Sequence, residues 1–139
     1  MRIMAIDYGD AHTGIAVSDP TGLLAGFSTT ITAYRPEAAA DQIAALAREH
    51  GAGELVLGHP LNMDGTRGPR AEKAEAFGEL LKSVTGLPVT LWDERRTTID
   101  AHQILFRNGK NAKKRKKVVD AVAASLILEG YLTYRKSRG

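Results

Sequence analysis

The sequence predicts an α/β fold, with a mixed five-stranded sheet that carries helices on its faces. Up to about residue 32, short β-rich apolar runs follow one another across tight turns. Beyond Pro36, apolar residues recur with helical spacing, and helical segments alternate with short buried strands. A meander followed by β-α-β units is typical of a mixed sheet. The length fits a single domain over residues 1–139, and an apolar fraction of 43% is ordinary for a globular core.

Three strands are predicted in the first part of the chain. Residues 2–7, RIMAID, lack clean alternation, which suits a strand covered on both faces. Residues 13–18, TGIAVS, follow after a tight turn, and residues 23–32, LLAGFSTTIT, are rich in β formers. Strands this close in sequence are expected to pair as an antiparallel meander.

The rest of the chain is expected to alternate helices with strands. Most helices open at a proline or a capping residue and end at a glycine. The predicted elements are a helix from Pro36 to a stop at Gly51, a strand over 54–58, a helix from Pro69 to a stop at Gly86, a strand over 89–92, a helix from Thr97 to about Arg107, and a last helix that begins near Lys117. The predicted order is therefore βββαβαβαα.

Composition narrows the functional classes. The chain has no cysteine, which excludes disulfides and thiolate metal sites. The opening MRIMAIDYG reaches an acid before any signal-like apolar core, and no apolar run approaches the roughly 20 residues that cross a bilayer. We therefore expect a cytoplasmic protein with no membrane association. The sequence makes no prediction of its oligomeric state.

Four segments carry unusual chemistry, and each lies at a strand end or a helix start, where α/β sheets bind ligands. Taken singly, each also has a plain structural explanation as a turn, a rigid connector, a surface ion-pair cluster or an acid at a helix start. The segments are IDYGDAHTG (6–14), GHPLNMDGTRGPRAE (58–72), DERRTT (93–98) and KKVVDAVAAS (116–125).

Taken together, the segments place three carboxylates at the ends of different elements. These are Asp7, Asp120 and one of Asp93 and Glu94, because successive strand residues face opposite ways. Converging acids repel one another unless a cation lies among them. Oxygen ligands of this kind suit Mg²⁺ or Mn²⁺. Two such ions activate a water and stabilise the leaving oxygen of a phosphodiester.

Cationic and polar side chains near these acids predict contacts to a nucleic-acid backbone. The segment over 110–117, KNAKKRKK, holds six of the 19 basic residues, and such clusters bind phosphates through charge and counterion release. The loop over 58–72 offers amides and arginines that suit phosphate, and we expect its polar side chains to line the acidic site. The predicted backbone-binding residues are Asn62, Thr66, Arg67, Arg70, Arg95, Lys113, Lys114, Arg115, Lys116 and Lys117.

The motifs DYGDAHTGIAVSD, GHPLNMDGT, DERRTT and VVDAVAASLIL together resemble the YqgF/RuvX family, from residue 3 to about residue 132. The resemblance implies an RNase H-like fold related to RuvC Holliday junction resolvases. It implies a nuclease that trims the 5′ end of pre-16S rRNA. The family's acidic site carries over to Asp7, Glu94 and Asp120 as catalytic and metal-binding residues, with Asp93 as an alternative ligand.

This chain departs from the family at two positions. His12 stands where the family often has an arginine, and His59 where it commonly has a leucine. The first change replaces a permanent cation with an imidazole that is mostly neutral at pH 7, which weakens the case for a phosphate contact from that loop.

Three functions remain open at this point. The leading hypothesis is a metal-dependent endonuclease acting on structured RNA. The first alternative keeps this chemistry on branched DNA, and the second is a module that binds rRNA without cutting it. A phosphoryl-transfer fold of the sugar-kinase and actin type also opens on an Asp and a glycine-rich turn. That fold needs a second lobe, for which this chain is too short.

Overall fold

A computed structural model describes residues 1–22, 25–96 and 112–138, and for residues 96, 112–120 and 138 it describes the backbone alone. The predicted helix from Thr97 to Arg107 lies outside the described residues, as do Leu23 and Leu24 of the predicted third strand.

The described elements follow the predicted order. They are β1 (Arg2–Asp7), β2 (His12–Ser18), β3 (Ala25–Thr32), α1 (Pro36–His50), β4 (Ala52–His59), α2 (Pro69–Thr85), β5 (Val89–Asp93), a short 3₁₀ helix (Glu94–Arg96) and α3 (Ala112–Arg138). Prolines open α1 and α2, and Gly51 and Gly86 end them with φ of 69° and 70°. Glycine adopts this left-handed conformation without steric cost, which explains why both predicted stops are correct.

The strands form one mixed five-stranded sheet in the order β3-β2-β1-β4-β5. The first three strands pair antiparallel, with Asp7 opposite Gly14, as the predicted meander requires. Strand β4 runs parallel to both β1 and β5. The carboxyl ends of β1, β4 and β5 therefore meet at one edge of the sheet.

Helices cover both faces of the sheet. On one face, Met4 and Ile6 of β1 pack in a core that includes Ile43 of α1 and Phe77 of α2. On the other face, Ile3 and Ala5 pack with Ala124, Ile127 and Leu128 of α3. Strand alternation therefore directs Asp7 toward the α3 face, whereas Tyr8 packs against the opposite core.

Helix α3 begins at Ala112, five residues before the predicted start at Lys117. The prediction was wrong because it gave no weight to the helix propensity of the basic run, although alanine, lysine and arginine are among the strongest helix formers. Asp120 thus lies in the third turn of the helix rather than in the first. The helix dipole acts within the first turn, so it does not explain this acid. Among the described helices, none has the length and apolar character of a membrane span.

Candidate active site

Three parallel strand ends bring two acidic residues together. Asp7 is the last residue of β1, and Glu94 follows directly after β5. Strand β4 lies between them, with Gly58 paired to Trp92 of β5. The carboxyl of Glu94 reaches across the end of β4 and shares a hydrogen bond with the carboxyl of Asp7.

Gly58 makes this approach sterically feasible. A Cβ atom at residue 58 would lie 2.1 Å from Glu94 Oε1 and 2.9 Å from Ile127 Cδ1. Real Cβ atoms do not approach other heavy atoms so closely, so a larger residue would push the glutamate away from Asp7. The glycine, which opens the GHPLNMDGT motif, is therefore part of the acidic site.

The carboxyl of Asp7 is hard to ionise in this position. Burial, the hydrogen bond that the protonated Asp7 carboxyl donates to Glu94, and the charge of Glu94 raise the pKa of Asp7 from 3.8 to about 8, against the opposing charge of Arg70. A like charge held this close disfavours ionisation of the Asp7 carboxyl. The pair therefore retains a proton at neutral pH when no other cation is present.

The two acids open onto a cleft of about 280 Å³. One wall is the turn between β1 and β2, with Asp10 and His12, and another is the first half of α2, with Arg70 and Lys73. Lys73 Nζ lies 3.4 Å from Asp10 Oδ1, so an ion pair spans the two walls. The cleft thus combines two acids at its base with cationic side chains at its rim.

The turn before β2 is fixed by its glycine. A Cβ atom at Gly9 would lie 2.3 Å from the carbonyl oxygen of His12. The Gly9 amide donates a hydrogen bond to Thr13 Oγ1 at 3.3 Å. His12 Nδ1 lies 3.3 Å from Thr32 Oγ1 on the neighbouring strand. This imidazole, the departure from the family pattern, is therefore positioned by β3 while it lines the cleft.

The donor set of this site fits a hard divalent cation. Asp7 and Glu94 supply only carboxylate oxygens, and their enforced proximity would be relieved by a cation between them. Across the described side chains, no group of three or more His, Cys, Asp or Glu residues forms a metal site. Asp120 lies in the part of α3 whose side chains are not described, as do the predicted phosphate contacts Lys113, Lys114, Arg115, Lys116 and Lys117.

A family model described as "RuvX: Holliday junction resolvase" matches residues 1–134. The chain belongs to the RuvX family. A relative from Halothermothrix orenii, named "Putative pre-16S rRNA nuclease", is 44% identical over 135 residues, which cover 97% of this chain and 96% of the relative. A relative of the same name from Pelotomaculum thermopropionicum is 44% identical over 133 residues, 95% of this chain and 86% of the relative. Both matches extend well beyond the motifs that suggested the family.

Solved structures confirm the predicted RNase H-like fold of this RuvX chain. RuvC of T. thermophilus in complex with a Holliday junction superposes with a TM-score of 0.63 at 14% identity, covering 99% of this chain and 96% of that chain. Fowlpox virus resolvase, in complex with Holliday junction DNA, gives 0.59 at 13% identity and covers 97% and 99%. Identities this low show the fold alone.

Of the two acids in the DERRTT motif, only Glu94 faces the cleft. Asp93 turns to Arg95, whose Nε lies 3.0 Å from both carboxylate oxygens and whose second nitrogen lies 2.6 Å from Oδ2. This opposite orientation agrees with the expectation that one of the two acids faces the site, although Glu94 begins the 3₁₀ helix and is not part of β5. Arg95 also donates to the carbonyl oxygen of Met63 at 3.3 Å, so it ties β5 to the loop over 60–68.

Asn62 and Thr66 are exposed and stand outside the cleft, contrary to the expectation that they line it. The two residues instead close a compact turn. Asn62 Nδ2 donates to Thr66 Oγ1 at 2.9 Å, and the Thr66 amide donates to Asp64 Oδ1 at 3.0 Å. The polar side chains of this turn satisfy one another, which explains why they do not point to the acids.

Arg67 is held by Glu75 of α2, a residue that the sequence analysis missed. Arg67 Nε donates to Glu75 Oε2 at 2.7 Å, and a second guanidinium nitrogen donates to Oε1. His59 Nε2 lies 2.6 Å from the same Oε2. Both contacts lower the pKa of Glu75, and the contact with Arg67 has the larger effect. Glu75 thereby fixes both ends of the loop, while Arg70 is the predicted arginine that enters the cleft.

Proposed function

We propose that this chain is a metal-dependent endonuclease that hydrolyses a phosphodiester bond at the 5′ end of pre-16S rRNA. The observation that carries this proposal is the pair of Asp7 and Glu94 at the base of a cleft with a cationic rim. The names of the relatives support the choice of substrate. We assign the activity to one domain over residues 1–139, acting in the cytoplasm where ribosomal RNA is processed.

The acidic pair favours cleavage over binding alone. Two carboxyls near a phosphate backbone repel it unless a cation intervenes, so a module that only binds RNA gains nothing from them. The pair is also built at a structural cost, because Gly58 must lack a side chain and Asp7 is held with a raised pKa. Such perturbed acids cluster at catalytic sites.

We assign metal binding to Asp7, Glu94 and Asp120, with two ions of Mg²⁺ or Mn²⁺. Bound ions would supply an activated water and charge stabilisation for the leaving oxygen. Position 120 precedes Ala124 by four residues and Ile127 by seven, the spacing of one helix face, and these two residues pack on the sheet. That spacing supports Asp120 as the third acid. Asp93, which holds Arg95, is a positioning residue instead.

The remaining cleft residues orient the substrate. Arg70 and Lys73 lie on α2 at the rim, where the charge of Arg70 attracts a phosphate toward the acids, whereas Lys73 is paired with Asp10. Asn62, Thr66, Arg67, Arg95 and the five basic residues of 113–117 would contact flanking backbone. Because Arg67 and Arg95 already hold ion pairs, we expect them to contribute less than Arg70.

The same cleft chemistry would serve branched DNA, and two structural neighbours are resolvases with Holliday junctions. We therefore test two substrates in parallel with purified protein and Mn²⁺: an RNA that spans the mature 5′ end of 16S rRNA, and a four-way DNA junction. We expect specific cleavage of the RNA, which EDTA abolishes. The triple variant D7N/E94Q/D120N is the matched control for contaminating nucleases.

Each outcome is decisive for the assignment. Cleavage of the junction and not of the RNA would assign the chain to DNA. RNA binding without cleavage, at equal affinity for the wild type and the triple variant, would instead support a binding module.

A further inference from the structure

A highly exposed aromatic ring stands beside the cleft. Tyr34 lies in the bend between β3 and α1, and 78% of its surface is exposed. Single exposed apolar residues are common and need no explanation. Tyr34 differs because its ring forms one wall of a groove of about 430 Å³. Grooves of this size accommodate small ligands or parts of larger ones.

The floor of this groove is flat and apolar. Tyr8 and Phe77 stack face to face, with ring centroids 3.9 Å apart and an angle of 7° between their planes. Pro36, Ala76 and Leu80 complete the apolar lining. Tyr8 packs on the core and Phe77 is buried within it, so the floor is rigid and the ring surface that it presents is that of Tyr8.

The groove is continuous with the acidic cleft. Tyr8, Asp10 and Lys73 line both cavities. Tyr8 is the chain neighbour of Asp7, so the base of the cleft and the floor of the groove are one residue apart. A strand whose phosphate lies at the acids would therefore pass next to the groove.

The charges around the groove argue against phosphate as its occupant. The Asp10 carboxylate balances the Lys73 ammonium at the shared rim. Glu37, whose charge acts on Tyr8, pairs with Arg35 at 3.8 Å. A balanced, apolar groove suits a neutral aromatic ring far better than an anion.

We propose that this groove binds one unpaired nucleobase of the substrate strand, stacked against Tyr34 next to the nucleotide that is cut. The inference rests on the proposed function for the position of the strand. The inference adds a requirement for an unpaired nucleotide, which the acids alone do not impose. A base within a duplex is stacked on its neighbours and is not free to enter the groove. Stacking of this kind is largely independent of base identity.

Binding is measured separately from cleavage, with all variants in a D7N background. The probe is a fluorescein-labelled single-stranded RNA of about 12 nucleotides, followed by anisotropy. We expect Tyr34→Ala to weaken binding about tenfold, the loss of about 1.4 kcal/mol, and Tyr34→Phe to bind within about twofold. Phe27→Ala is the matched control, because Phe27 is an exposed ring stacked on His50, the last residue of α1, whereas Tyr34 precedes the start of that helix.

A scan with one abasic nucleotide locates the stacked base. For the Asp7→Asn protein that retains Tyr34, removing the base at one position of the RNA should weaken binding. When the protein also carries Tyr34→Ala, removing the same base should weaken binding no further. The inference would be overturned if Tyr34→Ala bound the single-stranded RNA as tightly as the protein that retains Tyr34. It would also be overturned if Tyr34→Ala weakened binding of a blunt RNA duplex by the same factor. An altered oligomeric state with unchanged RNA affinity would overturn it too, in favour of a protein contact. A Tyr34 effect on binding, together with no RNA cleavage by the wild-type chain in Mn²⁺, would refute the proposed nuclease and leave the base site standing.

Discussion

Replacing Asp7 with asparagine should stabilise the metal-free protein, and the gain should grow with pH. The pKa of Asp7 is raised from 3.8 to about 8 in the folded chain, mainly by burial and then by Glu94. A raised pKa gives stability that is complete below pH 3.8 and is lost as pH rises toward 8. Asparagine has the same shape and does not ionise, so Asp7→Asn escapes this loss.

The size of the effect follows from the same shift. Raising a pKa by one costs about 1.4 kcal/mol at higher pH, so the rise to about 8 sets an upper limit of roughly 6 kcal/mol. Relaxation of water and side chains around the pair reduces this limit. We expect about 2 kcal/mol at pH 8 and almost nothing at pH 4. For a chain of this length, 2 kcal/mol corresponds to a rise in Tm of about 6 °C.

Thermal unfolding followed by circular dichroism in EDTA, at pH 4, 6 and 8, measures this difference. Asp41→Asn, the same change at an exposed position of α1, is the matched control and should leave Tm unchanged. Adding Mn²⁺ should then raise the Tm of the wild type more than that of Asp7→Asn, because a ligand stabilises the state that binds it. A lower Tm for Asp7→Asn at pH 8, or a difference that does not vary with pH, would refute the reasoning.

Three further predictions concern neighbouring features. Gly58→Ala should displace Glu94, because the added Cβ would lie 2.1 Å from the carboxylate. A cleavage assay should show a lower rate, and denaturant titration should show a free energy of unfolding that is lower by about 1–3 kcal/mol. Glu75→Gln should release Arg67 and speed limited proteolysis within residues 60–68, whereas an unchanged digestion rate would mean that the ion pair does not hold the loop. Alanine at all five basic positions of 113–117 should weaken binding of many sequences alike and reduce the salt dependence of log K by about one per lost phosphate contact, and an unchanged slope would leave this run as a solvated helix surface.

The order of the elements along the chain and the limits of α1 and α2 followed from local chemistry. Proline at a first turn and glycine at a helix end act through backbone geometry within a few residues, so Pro36 and Gly51 mark α1 without any knowledge of the fold. The expectation that one of Asp93 and Glu94 faces the site and the other turns to an arginine is likewise correct. These features depend on neighbours in the chain, which a single sequence displays.

The features that were missed depend on contacts between distant residues. Nothing in the sequence pairs Arg67 with Glu75, because that contact depends on the path of a loop whose turns satisfy their own polar groups. The start of α3 was missed for a different, local reason: a run of lysines and arginines combines charge repulsion with strong helix propensity, and the propensity prevails. The role of Gly58 was visible only in part. Its motif marked a loop, but the clash with Glu94 exists only in three dimensions.

The central claim is that the carboxyls of Asp7 and Glu94 form the catalytic centre. The most direct test compares Glu94→Gln with Asp93→Asn in Mn²⁺-dependent cleavage of the RNA that spans the mature 5′ end. The two acids are adjacent in sequence, but only Glu94 reaches Asp7. We predict that Glu94→Gln lowers the rate by about 10²–10³-fold and that Asp93→Asn stays within a few-fold of the wild type. Equal rates for Glu94→Gln and the wild type, or a larger loss for Asp93→Asn, would contradict this account.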